Sequence, residues 1–251
     1  MYSPFRLKEK YGIDLYFTSR LGGTSSSPYH SLNLAYHVGD DYGDVSANRR
    51  TVLEELKLGQ QIYDIKQVHS DKIVDLGREN YQHAGQSKIQ ADALVTGLDQ
   101  RAVMVMGADC NLMMVVDTKN RVIAAVHSGW KGTLKKILQK TIGHLEQSYD
   151  SFAGNLLLYL GPSIRKCCYQ VKEDLVERFV KNFGEGNYYY RKNNNIYLDL
   201  TGLNIQQARD AGLIDNNIFD SGICTFCDER FFSYRRNKVT GRQAAIGMIR
   251  G

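Results

Sequence analysis

Three apolar runs follow one another almost without polar interruption, at residues 102–106, 112–116 and 122–126. Gly107-Ala108-Asp109-Cys110-Asn111 separates the first two, and Asp117-Thr118-Lys119-Asn120 separates the last two. A strand with one wet face alternates polar and apolar side chains, whereas an unbroken run is buried on both faces. Any fold must therefore cover this segment from two sides, and the middle third is expected to supply the central sheet.

Further strand signals lie at residues 15–18, 62–68, 73–74, 93–96 and 156–160. The chain closes with strand-like residues 231–234 and 244–249. Helical spacing appears after Trp130-Lys131-Gly132, where Leu134, Ile137, Leu138, Thr141, Ile142 and Leu145 share one face. Val171, Leu175, Val176, Phe179, Val180 and Phe183 form a second such face. A third helix is expected over residues 44–58, with Val45, Val52, Leu53 and Leu56 inward. A fourth is expected over residues 203–211, stopping at Gly212. Strands and helices mix without a βαβ rhythm, so the expected class is α+β, with mixed β-sheets flanked by helices. With 251 residues, 43% hydrophobic, three prolines and no repeat or linker, a single compact domain spanning residues 1–251 is expected.

The net charge of +5 is small and scattered. Its densest group, Lys131, Lys135, Lys136 and Lys140, reads as the solvated face of one helix, so no nucleic acid partner is expected. No run approaches the roughly 18 apolar residues of a membrane span. Met1 to Arg6, followed by Lys8-Glu9-Lys10, has no leader-like apolar core, and a cytoplasmic protein is expected. Five cysteines make an odd count. In a reducing compartment such residues are buried, metal-binding or catalytic rather than paired.

Chemistry concentrates where interior strands end. His69 closes one strand signal, Cys110 follows another, and His127 stands where residues 122–126 meet Ser128-Gly129-Trp130. A Cys and two His supply three protein ligands and leave a fourth tetrahedral position open, the pattern of a catalytic zinc. The three are too far apart in sequence to make a local metal signature. A buried cysteine with two hydrogen-bonded histidines reads the same way. Cys224-Thr225-Phe226-Cys227 is a lone CxxC, unable to close a structural zinc site unless Cys167, Cys168 or a distant His joins it. Cys167-Cys168 itself reads as core. Gly161-Pro162-Ser163-Ile164 reads as a tight turn with backbone N–H groups free for an anion, and Arg20-Leu21-Gly22-Gly23-Thr24 as a second glycine turn. Ser233-Tyr234-Arg235-Arg236 and Thr240-Gly241-Arg242 read as a hairpin with a basic loop.

Taken in order, these segments resemble one family. The run comprises Arg20-Leu21-Gly22-Gly23, Ser31-Leu32-Asn33-Leu34, Asn48-Arg49, Gln67-Val68-His69 and Ala91-Asp92-Ala93-Leu94-Val95-Thr96. It continues through Ala108-Asp109-Cys110, His127-Ser128-Gly129-Trp130-Lys131-Gly132, Gly161-Pro162-Ser163-Ile164, Phe232-Ser233-Tyr234-Arg235-Arg236 and Thr240-Gly241-Arg242. The chain is similar to the laccase-domain, or polyphenol-oxidase-like, family over nearly its whole length. Members are now read as zinc-dependent purine nucleoside phosphorylases with adenosine deaminase activity. One departure is visible: the family's proline shortly after the cysteine is absent from Asp109-Cys110-Asn111-Leu112-Met113.

The resemblance implies that His69, Cys110 and His127 bind zinc. It also implies that purine nucleosides (adenosine, inosine and methylthioadenosine) are split by phosphate, and that adenosine is deaminated to inosine. On chemical grounds Asp109 and Asp92 are acid–base candidates, with Asp109 equally suited to orienting a ligand. Arg20, Arg49 and Arg235 are candidate phosphate forks and Lys131 a point charge. Two other chemistries compete. Cys110 with His127 would make a cysteine hydrolase, and a His₂Cys set near Met106, Met113 or Met114 would hold copper. Multicopper oxidases need many histidines, usually in His-x-His pairs; this chain has six and no such pair.

Overall fold

The unbroken apolar strands obtain their two-sided cover from a second sheet on one side and helices on the other. The computed structural model describes residues 5–59, 61–77 and 89–251. The reading of Met1 to Arg6 falls outside these residues, save the backbone at positions 5 and 6.

The first elements are α1 (Phe5–Tyr11), β1 (Ile13–Phe17), α2 (Tyr42–Leu56), β2 (Ile62–Tyr63), β3 (Ile73–Asp75) and β4 (Ala93–Thr96). The central run gives β5 (Ala102–Gly107), β6 (Asn111–Asp117), β7 (Val122–Ser128), α3 (Trp130–Leu134), α4 (Ile137–Tyr149) and β8 (Leu157–Leu160). There follow β9 (Gln170–Val171), α5 (Glu173–Phe183), β10 (Tyr189–Lys192), β11 (Asn195–Leu198) and α6 (Leu200–Asp210). The last are β12 (Ile218–Asp220), α7 (Tyr234–Asn237) and β13 (Gln243–Ile249).

Strands β1-β13-β5-β2 form one sheet and β12-β8-β6-β7-β4-β3 another, with β10-β11-β9 a small third. Both large sheets are mixed, since β2 pairs parallel to β5, and β3 to β4, among antiparallel neighbours. The class is α+β, as the element order implies. The central run is divided, however: β5 belongs to the first sheet, and β6 and β7 to the second.

Side-chain alternation within these buried strands builds the layers. Leu112, Met114 and Val116 of β6 pack with Leu15 and Phe17 of β1, Val103 and Val105 of β5, and Ala245 of β13, forming the core between the sheets. The alternate residues Met113 and Val115 face Ile137, Leu138, Ile142 and Leu145 of α4 and Ala208 of α6. On the far side, Met104, Ile246 and Met248 are covered by Val52 and Leu56 of α2. Each fully buried large apolar side chain contributes roughly 1.5–3 kcal/mol, so the apolar strands are what hold the four layers together.

Differences from the sequence reading have local causes. Helix α2 starts at Tyr42 because Asp41 caps it by accepting from Asp44 N, at 3.1 Å. Helix α6 starts at Leu200 because Asp199 accepts from Gly202 N, at 2.8 Å. The single expected helix after Trp130 is two, broken where Lys136 takes a left-handed φ of 59°. Its lysines are solvated as expected, Lys140 and Lys135 facing Asp71. The strand expected to run to residue 68 ends at Tyr63, and the strand expected over residues 231–234 is absent. In both segments a glutamine side chain replaces ladder pairing. Gln67 accepts from Met106 N and donates to Met106 O, and Gln243 does the same for Phe232. Ser233 then caps the short α7 in place of the expected hairpin.

Asn48 of α2 organises the loop before it, donating to the Ser31 and Asn33 carbonyls and accepting from Thr24 N. Gly23 fits there because it lacks a Cβ, which would meet the Ser31 carbonyl and lie 2.5 Å from both Leu32 Cα and Asn48 Oδ1. Backbone on the opposing side cannot yield as a side-chain tip can. Gly23→Ala is expected to lower stability by about 1–3 kcal/mol, read from the urea midpoint.

Candidate metal centre and its cleft

The antiparallel register explains why distant residues meet. Strands β6 and β7 pair Leu112 with His127, so Cys110, just before β6, lies at the rim where β7 ends. Strands β4 and β7 pair Ala93 with Val126, which sets Asp92 beside His127. Because β5 ends opposite Gln243, Arg242 reaches the same rim from the other sheet. The loop carrying His69 is held there through its own backbone. Val68, His69 and Ser70 all donate their N–H groups to the Asp92 carboxylate.

His69, Cys110 and His127 each offer one donor atom, and these atoms lie within 4.8 Å of one another. His69 Nε2 is 3.9 Å from Cys110 Sγ, and the two imidazoles meet edge to face at 4.9 Å. His127 Nδ1 is 2.9 Å from Asp92 Oδ1, which leaves Nε2 for other work. Space for the cluster comes from Gly129. A Cβ there would stand 2.9 Å from Cys110 Sγ and 2.9 Å from His69 Cδ2. The turn is strained as well, with Asp109 at φ 95° and His69 at φ 58°.

Charge is poised for ligation. Burial disfavours a thiolate at Cys110, yet the neighbouring His127 and His69 rings outweigh it and draw the thiol down to about 6. Burial would lower His127, but the Cys110 sulfur and the Asp92 carboxylate carry it up to about 9. At neutral pH the pair is a thiolate beside an imidazolium. A metal ion held by His69, Cys110 and His127 would require the thiolate and would displace the His127 Nε2 proton.

The cluster forms one wall of an open cleft of about 420 Å³, within the range of small-molecule sites. Trp130, Tyr169 and Tyr234 line it as aromatic residues, and His37, Arg235 and Arg242 line it as polar ones. Burial holds Tyr169 up at about 12, so its hydroxyl stays protonated. Burial, then the charges of Arg242 and Arg49, depresses His37 below its ordinary value and keeps that ring neutral.

The family model described as multi-copper polyphenol oxidoreductase laccase matches residues 14–250. The chain belongs to this family. It is 32% identical over 247 residues to a Haemophilus influenzae protein named purine nucleoside phosphorylase, covering 93% of each chain. A Corynebacterium glutamicum protein of the same name is 34% identical over 232 residues, covering 92% of each. The fold is similar to the crystal structure of Bacillus licheniformis hypothetical protein YfiH, with TM-score 0.89 and 27% identity over 96% of this chain and 95% of that one. For YlmD from Geobacillus stearothermophilus the TM-score is 0.88, with 28% identity over 96% and 93%.

In this member of the polyphenol oxidoreductase family, several of the basic residues expected at the site lie outside the lining of this cleft. Arg49 donates to Asp64 at 2.7 Å and to the Leu34 carbonyl at 2.8 Å, and it lines an adjoining cleft. Arg20 donates to the His30 carbonyl, and Lys131 rests over the Trp130 ring; neither lines the metal cleft. Of the four basic residues proposed for phosphate, Arg235 alone lines it. Arg242 was quoted only as motif, and Tyr169 and His37 carried no signal at all. Asp109 lines the cleft, yet both its oxygens are engaged, Oδ1 by Thr225 Oγ1 and Oδ2 by Arg235 N, each at 2.7 Å. The turn at Gly161 offers no anion nest, because the N–H groups of Gly161, Ser163 and Ile164 donate to Leu112, Ile223 and Asp109 carbonyls.

Asp92 orients one histidine by its side chain and the other by its backbone. Groups that orient metal ligands are worth roughly 10- to 100-fold in affinity. Asp92→Asn is expected to weaken metal binding by about that factor, measured by competition against a chelator on protein whose circular dichroism is unchanged.

Proposed function

We propose that the chain is a zinc-dependent purine nucleoside enzyme. It splits adenosine, inosine and methylthioadenosine with phosphate, and it deaminates adenosine to inosine. The observation that carries this reading is a single cleft with a soft His₂Cys donor set on one wall and two arginines, Arg235 and Arg242, on another. The names of the relatives supply the substrate class. A thiolate with two imidazoles is a donor set that zinc accepts, and three protein ligands leave a position open. When bound, zinc supplies Lewis acidity that brings water into nucleophilic range near neutral pH.

The chain's own residues divide the remaining work. Arg235 and Arg242 hold phosphate on the sugar side as planar, permanently charged forks. In phosphorolysis a phosphate oxygen bonds to the ribose C1′ as the bond to the purine nitrogen breaks, giving free base and ribose 1-phosphate. Trp130 and Tyr169 line the cleft and supply aromatic surface for a purine, with the Arg235 guanidinium over the Tyr169 ring. Neutral His37 and protonated Tyr169 hydrogen-bond to polar edges without adding charge. In deamination, water adds at C6 and ammonia leaves. Asp92 keeps His127 Nδ1 fixed throughout, and Asp109 holds the Cys110 turn by accepting from the Thr225 hydroxyl and the Arg235 backbone N–H.

The thiolate–imidazolium pair is also the charge state of a cysteine nucleophile, and the two readings separate on metal content. Full-length protein from zinc- and copper-replete medium is assayed for metal and incubated with adenosine or inosine, with and without phosphate. Zinc-loaded protein is expected to release free base only with phosphate and to form inosine from adenosine either way. Cys110→Ala and His127→Ala are each expected to hold about one zinc per chain fewer than the unaltered protein, the ion of this donor set, and to lose more than about 100-fold in turnover. Metal-free protein that retains full turnover overturns the reading. So does stoichiometric copper without nucleoside turnover.

Arg242→Ala is expected to raise KM for phosphate by about 10- to 100-fold, the worth of a charge-assisted hydrogen bond. Zinc content should stay unchanged. Steady-state kinetics at saturating inosine measures the shift.

A further inference from the structure

The remaining four cysteines meet next to Tyr169, a residue that lines the same cleft. The sulfurs of Cys167, Cys168, Cys224 and Cys227 all lie within 4.8 Å of one another. Cys168 Sγ is 3.2 Å from Cys227 Sγ, Cys167 Sγ is 4.0 Å from it, and no pair is bonded. Four thiolates around zinc at about 2.3 Å stand about 3.8 Å apart along each tetrahedral edge, so the observed cluster brackets that spacing. We propose that Cys167, Cys168, Cys224 and Cys227 form a second, structural zinc site, closed by four thiolates.

Three features of the surroundings fit a metal knuckle better than core packing. First, the residues are not core: Cys167 and Cys227 are exposed, and only Cys224 is buried. Second, both segments are tight turns held rigidly together. Ser163 bridges Cys224 in parallel, Thr225 N donates to the Ser163 carbonyl, and Arg165 Nε donates to the Ile223 carbonyl. Third, the CxxC closes on itself as a single turn, with Asp228 N donating to the Cys224 carbonyl at 3.0 Å, so that Cys224 and Cys227 present their sulfurs together. Four sulfurs this close cannot ionise together without a cation among them, and a closed set of four leaves no position for substrate.

The site's place in the fold gives it a task. One turn leads directly into Tyr169, and the other carries Thr225, which donates to Asp109 beside Cys110. Zinc bound here would clamp two walls of the catalytic cleft. The inference stands on these four cysteines alone and does not depend on the chemistry proposed for His69, Cys110 and His127.

Untagged Cys110→Ala protein, purified with reductant from zinc-replete medium, separates the two sites because its first donor set is broken. About one zinc per chain is expected to remain, and an organomercurial should release it as four thiols react. Cobalt exchanged into the same protein should show the intense thiolate-to-cobalt charge-transfer absorption of a tetrahedral tetrathiolate. Adding Cys224→Ser and Cys227→Ser should abolish that band and lower Tm. Metal-free Cys110→Ala protein with four freely reactive thiols overturns the proposal. A Cys168–Cys227 disulfide, seen as the loss of two hydrogens in the intact mass, overturns it equally. Both outcomes are read on Cys110→Ala itself, whatever the folding of the triple variant.

Discussion

The Asp92 carboxylate, with no solvent exposure, sits at the joint between a sheet and the loop that closes over it. An ionised carboxylate leaves water at a cost of several kcal/mol unless donors replace its hydration. Here the replacements are Val68 N, His69 N, Ser70 N, Ser70 Oγ and His127 Nδ1. Burial pushes Asp92 up, but the His127 and Ser70 hydrogen bonds outweigh it and hold the group below its ordinary range. The same desolvation that makes this carboxylate costly makes each of its hydrogen bonds strong. Two ligands from distant parts of the chain are thereby fixed to one another through a single side chain.

That joint is placed by strand register rather than by local sequence. Shifting β4 against β7 by one residue would turn Asp92 away from His127 and reverse every inward side chain of β4 as well. The core between the sheets, with Leu112 and Met114 on one side and Val103, Val105 and Ala245 on the other, resists such a slip. Because Arg242 enters from the opposite sheet, the same core also sets the distance between the His69, Cys110 and His127 cluster and Arg242 across the cleft. Packing and chemistry are one constraint here.

The layered fold was readable because unbroken apolar strands leave few arrangements open. The residues alone left the donor triad no better supported than a buried cysteine with two hydrogen-bonded histidines, and only the ordered motifs of the family resemblance favoured it. The boundaries were less readable. Gln67 and Gln243 imitate a strand ladder with their side chains, so the flanking segments carry strand-like composition without strand geometry. A residue at a rim position shows no periodicity, which is why Tyr169 and His37 passed unnoticed. The CxxC at Cys224 looked incomplete because its partners, Cys167 and Cys168, lie far back in the chain and are brought across by the parallel pairing of β12 with β8.

Arginines show most clearly why composition cannot assign a binding role. Arg20, Arg49, Arg165 and Arg236 all donate to backbone carbonyls, the ordinary way a loop-rich fold satisfies acceptors that no strand reaches. Arg235 and Arg242 do the same in part, donating to Gln170 and to Thr240 and Gly241, yet they also border the cleft. Arg235 is further tied to the turn at Asp109. Its carboxylate holds Arg235 N and Thr225 Oγ1, drawing the start of α7 and the CxxC turn onto the backbone that carries Cys110. An aspartate so occupied is poorly placed to shuttle protons. Its carboxylate instead ties together the turn that carries Cys110, the start of α7 at Arg235 and the CxxC turn at Thr225, three segments remote from one another in the chain.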